Sequence, residues 1–177
     1  MRADARRNRE RIITSALDLF AKYGPGVSME DIAQAAGLGV GTLYRHFPDR
    51  LALVTDLANS ALADLRDHAR AQAAEDISRW EVLVRVVRHC AGRPFALITS
   101  LAGTPPATPG TQELVREVNA LLAEIIEKAQ DEGTLRRDIT PEQVVGLLNV
   151  VVCRPGAQPD DPLTTVMLDG LKPGGRR

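Results

Sequence analysis

Between residues 28 and 50 the chain is punctuated so tightly that few structures fit it. The stretch "SMEDIAQAAGLGVGTLYRHFPDR" has apolar residues three and four apart, glycines at 37 and 39, and a proline at 48. It predicts two helices of about two turns each with almost nothing between them. Ser28 is placed to cap the first, with Asp31 three residues on completing a capping-box pair and Ile32, Ala33 and Ala36 as the inner face. Gly37 closes that helix, and Leu38 and Gly39 lead straight into the next. At ~100° per residue, Val40, Leu43, Tyr44 and Phe47 share one arc of the second helix, and Gly41, Thr42, Arg45 and His46 share the other. Pro48 disfavours helical geometry at Phe47, and Asp49 suits the N-cap of whatever follows. One face of this short helix anchors it, and the other, small and polar, is presented.

Apolar spacing is helical nearly everywhere else, and no segment alternates as a strand would, so the expected fold class is all-α. A first helix is expected from about Asn8 to Tyr23, ended by Gly24-Pro25-Gly26, and a fourth from Asp49 to about Ala74. Ser78 with Glu81 forms a capping box for a fifth helix running through Cys90, with Ile77 stapled onto Val82. Pro94 opens a short sixth helix, "GTPPATPG" at 103–110 is expected to be a loop, and a long helix follows from Gln112 to about Glu132. Thr140, Pro141 and Gln143 form a helix start ahead of "VVGLLNVVVC", and Pro162 opens a last helix, for about nine in all.

The 177 residues suffice for one ordinary domain, or a small one joined to a larger, and the net charge of −1 hides an asymmetry. The first eleven residues carry five arginines, Arg6 and Arg7 among them, against two acids. Such a run is a solvated end or an arm that touches nucleic acid. Four of the six aromatic residues, Phe20, Tyr23, Tyr44 and Phe47, fall in the first 47, which marks a separately organised N-terminal unit. Cys90 and Cys153 stand far apart and no apolar signal-peptide core follows the N-terminus, so a reduced, cytoplasmic protein is expected. No apolar run reaches the ~18 residues of a membrane span. No His/Cys/Asp/Glu spacing has the form of a metal site, no cofactor motif is present, and no nucleophile-base, paired-carboxylate or phosphate-loop arrangement argues for an enzyme.

Two short helices joined by a glycine-containing turn form the helix-turn-helix pattern, whose second helix enters the major groove of DNA. Gly41 leaves room for DNA to approach, Thr42 offers a hydroxyl and a methyl, and Arg45 can reach a phosphate or a guanine edge. Spacing alone also fits two helices of an ordinary bundle, or an adaptor that has lost DNA.

From Arg9 to Val54 the chain resembles the N-terminal domain of the TetR family of bacterial transcriptional repressors. The resemblance is carried by "RIITSALDLFAKYG" and "VSMEDIAQAAGLGVGTLYRHFPDRLALV". It rests on Ala16, Phe20, Gly24, Ile32, Ala33, Ala36, Gly37, Thr42, Leu43, Tyr44, His46 and Phe47. The chain departs from the family pattern at Ser28-Met29, where paired Thr is frequent, at Gly39, where Ser or Thr is frequent, and at Arg50, where Lys is usual. The resemblance implies a three-helix DNA-binding domain, here 1–48, and a compact helical ligand-binding and dimerisation domain, here 49–177. It implies a homodimer on a palindromic double-stranded operator, under the control of a small-molecule effector. It makes Ser28, Thr42, Tyr44, His46 and Arg50 candidates for phosphate contacts, and sets Val40, Gly41, Thr42 and Arg45 against bases. Tyr44 also fits a packing role, and His46 also fits an exposed imidazole at a helix end.

The effector would lie between the fourth and seventh helices. Leu62, Trp80, Leu83, Val87 and Cys90 are candidate lining residues, as are Phe95, Ile98, Leu101, Val118 and Leu122; all of them serve equally as plain core. A lining so poor in charge suits a compact apolar or amphipathic molecule. The eighth helix is apolar almost all round and must be covered on more than one side. By the resemblance the last two helices pair with their copies, through Leu147, Leu148, Val151, Val166 and Met167; a central helix within a monomer is the alternative.

Overall fold

The computed structural model describes residues 2–91, 108–154 and 157–174, and every regular element among them is helical. In chain order these are α1 (Arg2–Tyr23), a 3-10 turn (Gly24–Gly26), α2 (Met29–Ala35), α3 (Val40–His46) and α4 (Arg50–Ala73). They continue as α5 (Arg79–Ala91), α6 (Pro109–Asp131), α7 (Pro141–Val152) and α8 (Pro162–Leu171). The expected helix opened by Pro94 lies outside the described residues.

Two expected boundaries are corrected. Helix α1 begins at Arg2 rather than near Asn8. Its first turns carry the pairs Arg7 with Asp4 and Arg6 with Glu10, three and four residues apart, and this spacing supports an exposed helical end. Helix α6 begins at Pro109 rather than Gln112, because proline is well tolerated in a first turn, where its missing N–H has no helical partner to lose.

Packing divides the chain into two compact units, with the division inside α4 after Ala58. In the first, Ile12, Ala16 and Phe20 of α1 are buried, as are Ile32, Ala33 and Ala36 around α2, Leu43 and Phe47 around α3, and Leu53, Val54 and Leu57 of α4. Helices α2 and α3 are seven residues each, too short to hold their shape without this core. Ser28 caps α2 in a complete capping box with Asp31, as the sequence predicts. At Gly37, φ is +62°, a left-handed conformation that ends α2 and turns the chain toward α3.

The second unit gathers the rest of α4 with α5 to α8 around one apolar cluster that includes Leu65, Val82, Leu83, Val86, Leu122, Ile126, Val144 and Leu148. Helix α5 is capped by half of the expected box: the Ser78 hydroxyl accepts from the Glu81 N–H, while the Glu81 carboxylate pairs with Arg85. Thr140 and Gln143 make the complete box at the head of α7. Asp161 caps α8, accepting from the Thr164 N–H at 2.9 Å and pairing with Arg154 at 2.6 Å across the connection from α7. The buried amide of Gln130 donates to the carbonyls of Arg136 and Ile139, which fixes the turn from α6 to α7. Arg136 then ties this turn to the end of α8 through the carbonyls of Gly170 and Leu171.

Candidate nucleic-acid interface

The geometry of α3 follows from which of its apolar residues have partners. Leu43 and Phe47 are buried, while Val40 and Tyr44 are each 41% exposed. The arc that the sequence reads as one anchoring face is therefore held by two residues of the four, and Val40 and Tyr44 lie at its open margin. A Cβ added at Gly41 would meet nothing within 4 Å, so the backbone there is open to a close approach. Gly39 caps α3 with no side-chain hydrogen bond, as expected of a glycine where a hydroxyl residue is frequent in the family.

Arg45 is exposed and folded along its own helix. Its Nε donates to the Gly41 carbonyl at 3.2 Å and its Nη2 donates to the Thr42 hydroxyl at 3.0 Å. The guanidinium is thus already held on the open face of α3, beside the threonine. His46 is half-buried at the end of the helix. The Ser28 hydroxyl accepts from the Asp31 N–H at 3.0 Å and donates to the Asp31 carboxylate at 2.6 Å. The Ser28 hydroxyl, followed by its backbone N–H, holds the Asp31 carboxyl below the usual carboxylate range. Arg6 and Arg7 lie on exposed turns of α1, each paired with an acid of the same helix. Arg50 is turned inward: it donates to the Val27 carbonyl and lies over the Phe20 ring.

One cation of this region was missed from sequence. Arg11, exposed on α1, reaches the turn between α2 and α3, where its Nη2 would come within 2.6 Å of a Cβ at Gly37. The signal was present in the basic run, but helical spacing could not say which of its arginines faces the turn.

In the second unit Leu83, Val87, Cys90, Val118 and Leu122 are buried in the central cluster, with Leu62 and Trp80 packed at its edge. Phe95, Ile98 and Leu101 lie outside the described residues. An open recess of about 260 Å³ is lined instead by Arg70, Ala73, Ala74, Arg79, Leu121, Glu124, Ile125 and Lys128, none of them among the expected pocket residues.

The expected interface residues separate into two groups. Leu148 and Met167 are buried within the chain's own core, at 5% and 6% exposure, which corrects their placement on an outer face. Leu147 and Val166 are exposed, Val151 is half-buried, and two residues not expected, Val150 and Leu163, are exposed at 72% and 57%. Leu147 and Val150 are three apart on α7, and Leu163 and Val166 are three apart on α8. In a helix apolar almost all round, periodicity does not distinguish the inner side from the outer one.

The first unit is thus a helix-turn-helix with a small, bare, partly cationic second helix, the form of a DNA-reading domain. Comparison with known proteins agrees. Residues 12–57 match the family model of bacterial regulatory proteins, tetR family, and residues 80–173 match that of the C-terminal domain of SbtR-like transcriptional regulators. A TetR transcription regulatory protein from Mycobacterium vanbaalenii is 33% identical, with a TM-score of 0.70, and the likeness covers 97% of this chain and 98% of that one. The ketosteroid transcriptional regulator of Mycobacterium tuberculosis shares the fold, at 20% identity and a TM-score of 0.69 over 94% of this chain and 95% of that one. An HTH-type transcriptional regulator of Staphylococcus aureus is 51% identical over 51 residues, which span 28% of this chain and 28% of the relative. The chain belongs to the TetR family of DNA-binding transcriptional regulators. Members of this family regulate transcription rather than catalyse a reaction. No helix among the described residues is long and apolar enough to cross a membrane.

Proposed function

We propose that the protein is a ligand-responsive repressor that binds a palindromic operator as a homodimer in the cytoplasm. The observation that carries this reading is the exposed apolar face of Leu147, Val150, Leu163 and Val166 on α7 and α8, on a chain whose first unit presents a single recognition helix. Exposed apolar side chains gathered on neighbouring helices mark an interaction surface. A second copy meeting this face through a two-fold axis supplies the second recognition helix that a palindrome requires.

On the operator, Gly41, Thr42 and Arg45 face base edges with Val40 beside them, and Tyr44, His46 and Ser28 contact phosphates. Arg6 and Arg7 add charge toward the backbone from α1. The first unit reads DNA, and the second senses the effector and dimerises. The effector is a compact apolar or amphipathic molecule bound among the helices of the second unit, and its binding releases the operator. The lack of charge among the candidate lining residues supports that chemistry.

The test begins with a pool of random duplexes and the purified chain. Enrichment of a palindrome with half-sites about one DNA turn apart, or a multiple of it, supports the reading. A chain that sediments as a monomer at the concentration where it holds that duplex, or a pool with no enriched sequence, refutes it.

A further inference from the structure

We propose that Arg50 is a positioning residue of the DNA-reading unit: it fastens the start of α4 to the start of α2, and it is not a phosphate contact. Its guanidinium donates from Nη1 to the Val27 carbonyl, and its central carbon stands 4.9 Å from the centroid of the Phe20 ring. One edge and one face of the group are therefore committed inside the unit. The ring beneath it is buried, so the guanidinium also covers the core at that point.

The carbonyl it holds lies where a tie of this kind has most leverage. Val27 immediately precedes Ser28, the N-cap of α2, and the first carbonyl used by α2 itself is that of Ser28, which accepts from the Ile32 N–H at 3.2 Å. The Val27 carbonyl is left outside the helix, and Arg50 fills it from the start of α4. From there the Ser28–Asp31 capping box fixes the first turn of α2, and the Gly37 turn passes its direction to α3. Helices α2 and α3 have seven residues each, so their direction depends on such external ties.

Helix α4 does not itself call for a cation at this position. Asp49 already serves its N-terminus, accepting from the Ala52 N–H at 2.7 Å, and a positive charge in a first turn opposes the helix dipole. A guanidinium is suited to the task because its planar face can lie on a ring while its edge donates to a carbonyl; an ammonium is a compact point charge without that face. Arg9 makes a similar two-part contact nearby, lying 5.5 Å over the Phe47 ring at the end of α3 and pairing with Asp56 of α4.

The experiment compares the unaltered chain with R50Q and R50K. Binding is measured on the duplex enriched from the random pool and on an unrelated duplex, across a series of KCl concentrations and well below the melting temperature of each variant. Both variants should lose operator affinity by about tenfold or more and hold the unrelated duplex within about twofold, because placement matters for specific binding and charge alone for the rest. The slope of log K against log salt on the operator should stay within about half a unit of the parent's. A slope shallower by about 0.9 in R50Q, with equal losses on both duplexes and recovery in R50K, makes Arg50 a phosphate contact and overturns the proposal. Unchanged operator affinity in both variants also overturns it, leaving a contact that serves stability alone. If R50Q does not fold, R50K decides by the same affinities and slope.

The proposal rests on the operator reading above, so a readout without DNA separates the two. Amide hydrogen exchange over residues 28–36 should quicken in both variants relative to α1 in the same samples. If the pool enriches nothing, the operator reading fails, and this exchange alone decides the proposal; unchanged exchange in α2 overturns it.

Discussion

Helix α3 and the pair α7–α8 each bury one side and leave another bare, yet what they leave bare is opposite in chemistry. On α3 the anchors are Leu43 and Phe47, and the open side carries Gly41, Thr42 and Arg45, small or polar groups that suit a hydrated, charged partner with hydrogen-bonding edges. On α7 and α8 the anchors are Leu148 and Met167, and the open sides carry Leu147, Val150, Leu163 and Val166. These have nothing to offer DNA and gain only from another apolar surface. The difference shows that burial fixes a helix in place, while the residues left over by burial specify what meets it.

The comparison is broken hardest at Leu148. A glutamate there would place an unpaired charge in the chain's own core, at a cost of several kcal/mol, and L148E should lose its helical circular dichroism at temperatures where the parent is folded. V166E, on the exposed side of the same pair of helices, should keep its helicity, sediment as a monomer and lose tight operator binding. A folded L148E, or a V166E that still dimerises, would remove the distinction between inner and outer sides drawn here.

The anchors of α3 come next. L43A should cost about 2–5 kcal/mol of stability by denaturant titration, because the residue is fully buried and the cavity has no substitute atoms. A loss under 1 kcal/mol would mean that α3 is held mainly by Phe47. On the open side, R45A should leave stability within about 0.5 kcal/mol of the parent and cost about 1–3 kcal/mol of discrimination between operator and unrelated DNA. An equal loss on both duplexes would assign Arg45 to phosphate.

The smallest effect concerns acid. Arg136 beside Asp138 holds that carboxyl down to about 2 from an ordinary 3.8, and both groups are solvent-exposed. A depressed folded-state pKa gives stability that is present above about 3.8 and lost as the pH falls toward 2. D138N should therefore be slightly less stable than the parent at neutral pH and converge with it toward pH 2, which flattens the acid limb between those values, as read by thermal melts from pH 7 to 2. An acid limb identical to the parent's would show that the pair adds nothing to the fold.

Much of the first unit was legible in advance, because its signals are local. The capping box at Ser28, the stop at Gly37 and the cap at Asp49 each act within three or four residues, and all three stand where the spacing places them. The same holds for Thr140 and Gln143 at α7 and for Pro162 at α8. Boundaries were less legible where two local rules compete. At 109–110 the Pro and Gly that suggest a loop were outweighed by the tolerance of a helix for proline in its first turn. At 2–7 a basic run that reads as a solvated end or an arm has Asp4 within it and Glu10 just beyond it at helical spacing from Arg7 and Arg6, and is helical.

By itself the sequence determined the all-α class, the helix-turn-helix and most helix ends, because helical period, caps and breakers depend on neighbours along the chain. Only the tertiary structure decided which side of α7 and α8 faces inward, that Arg50 turns toward Val27 and Phe20, and that Arg11 reaches the Gly37 turn. Each of these depends on groups far apart in the chain, and Val27 and Arg50, 23 positions apart, share no periodic signal that links them. A side chain with several possible partners takes the one that packing brings near, and that choice is made only once the core has closed.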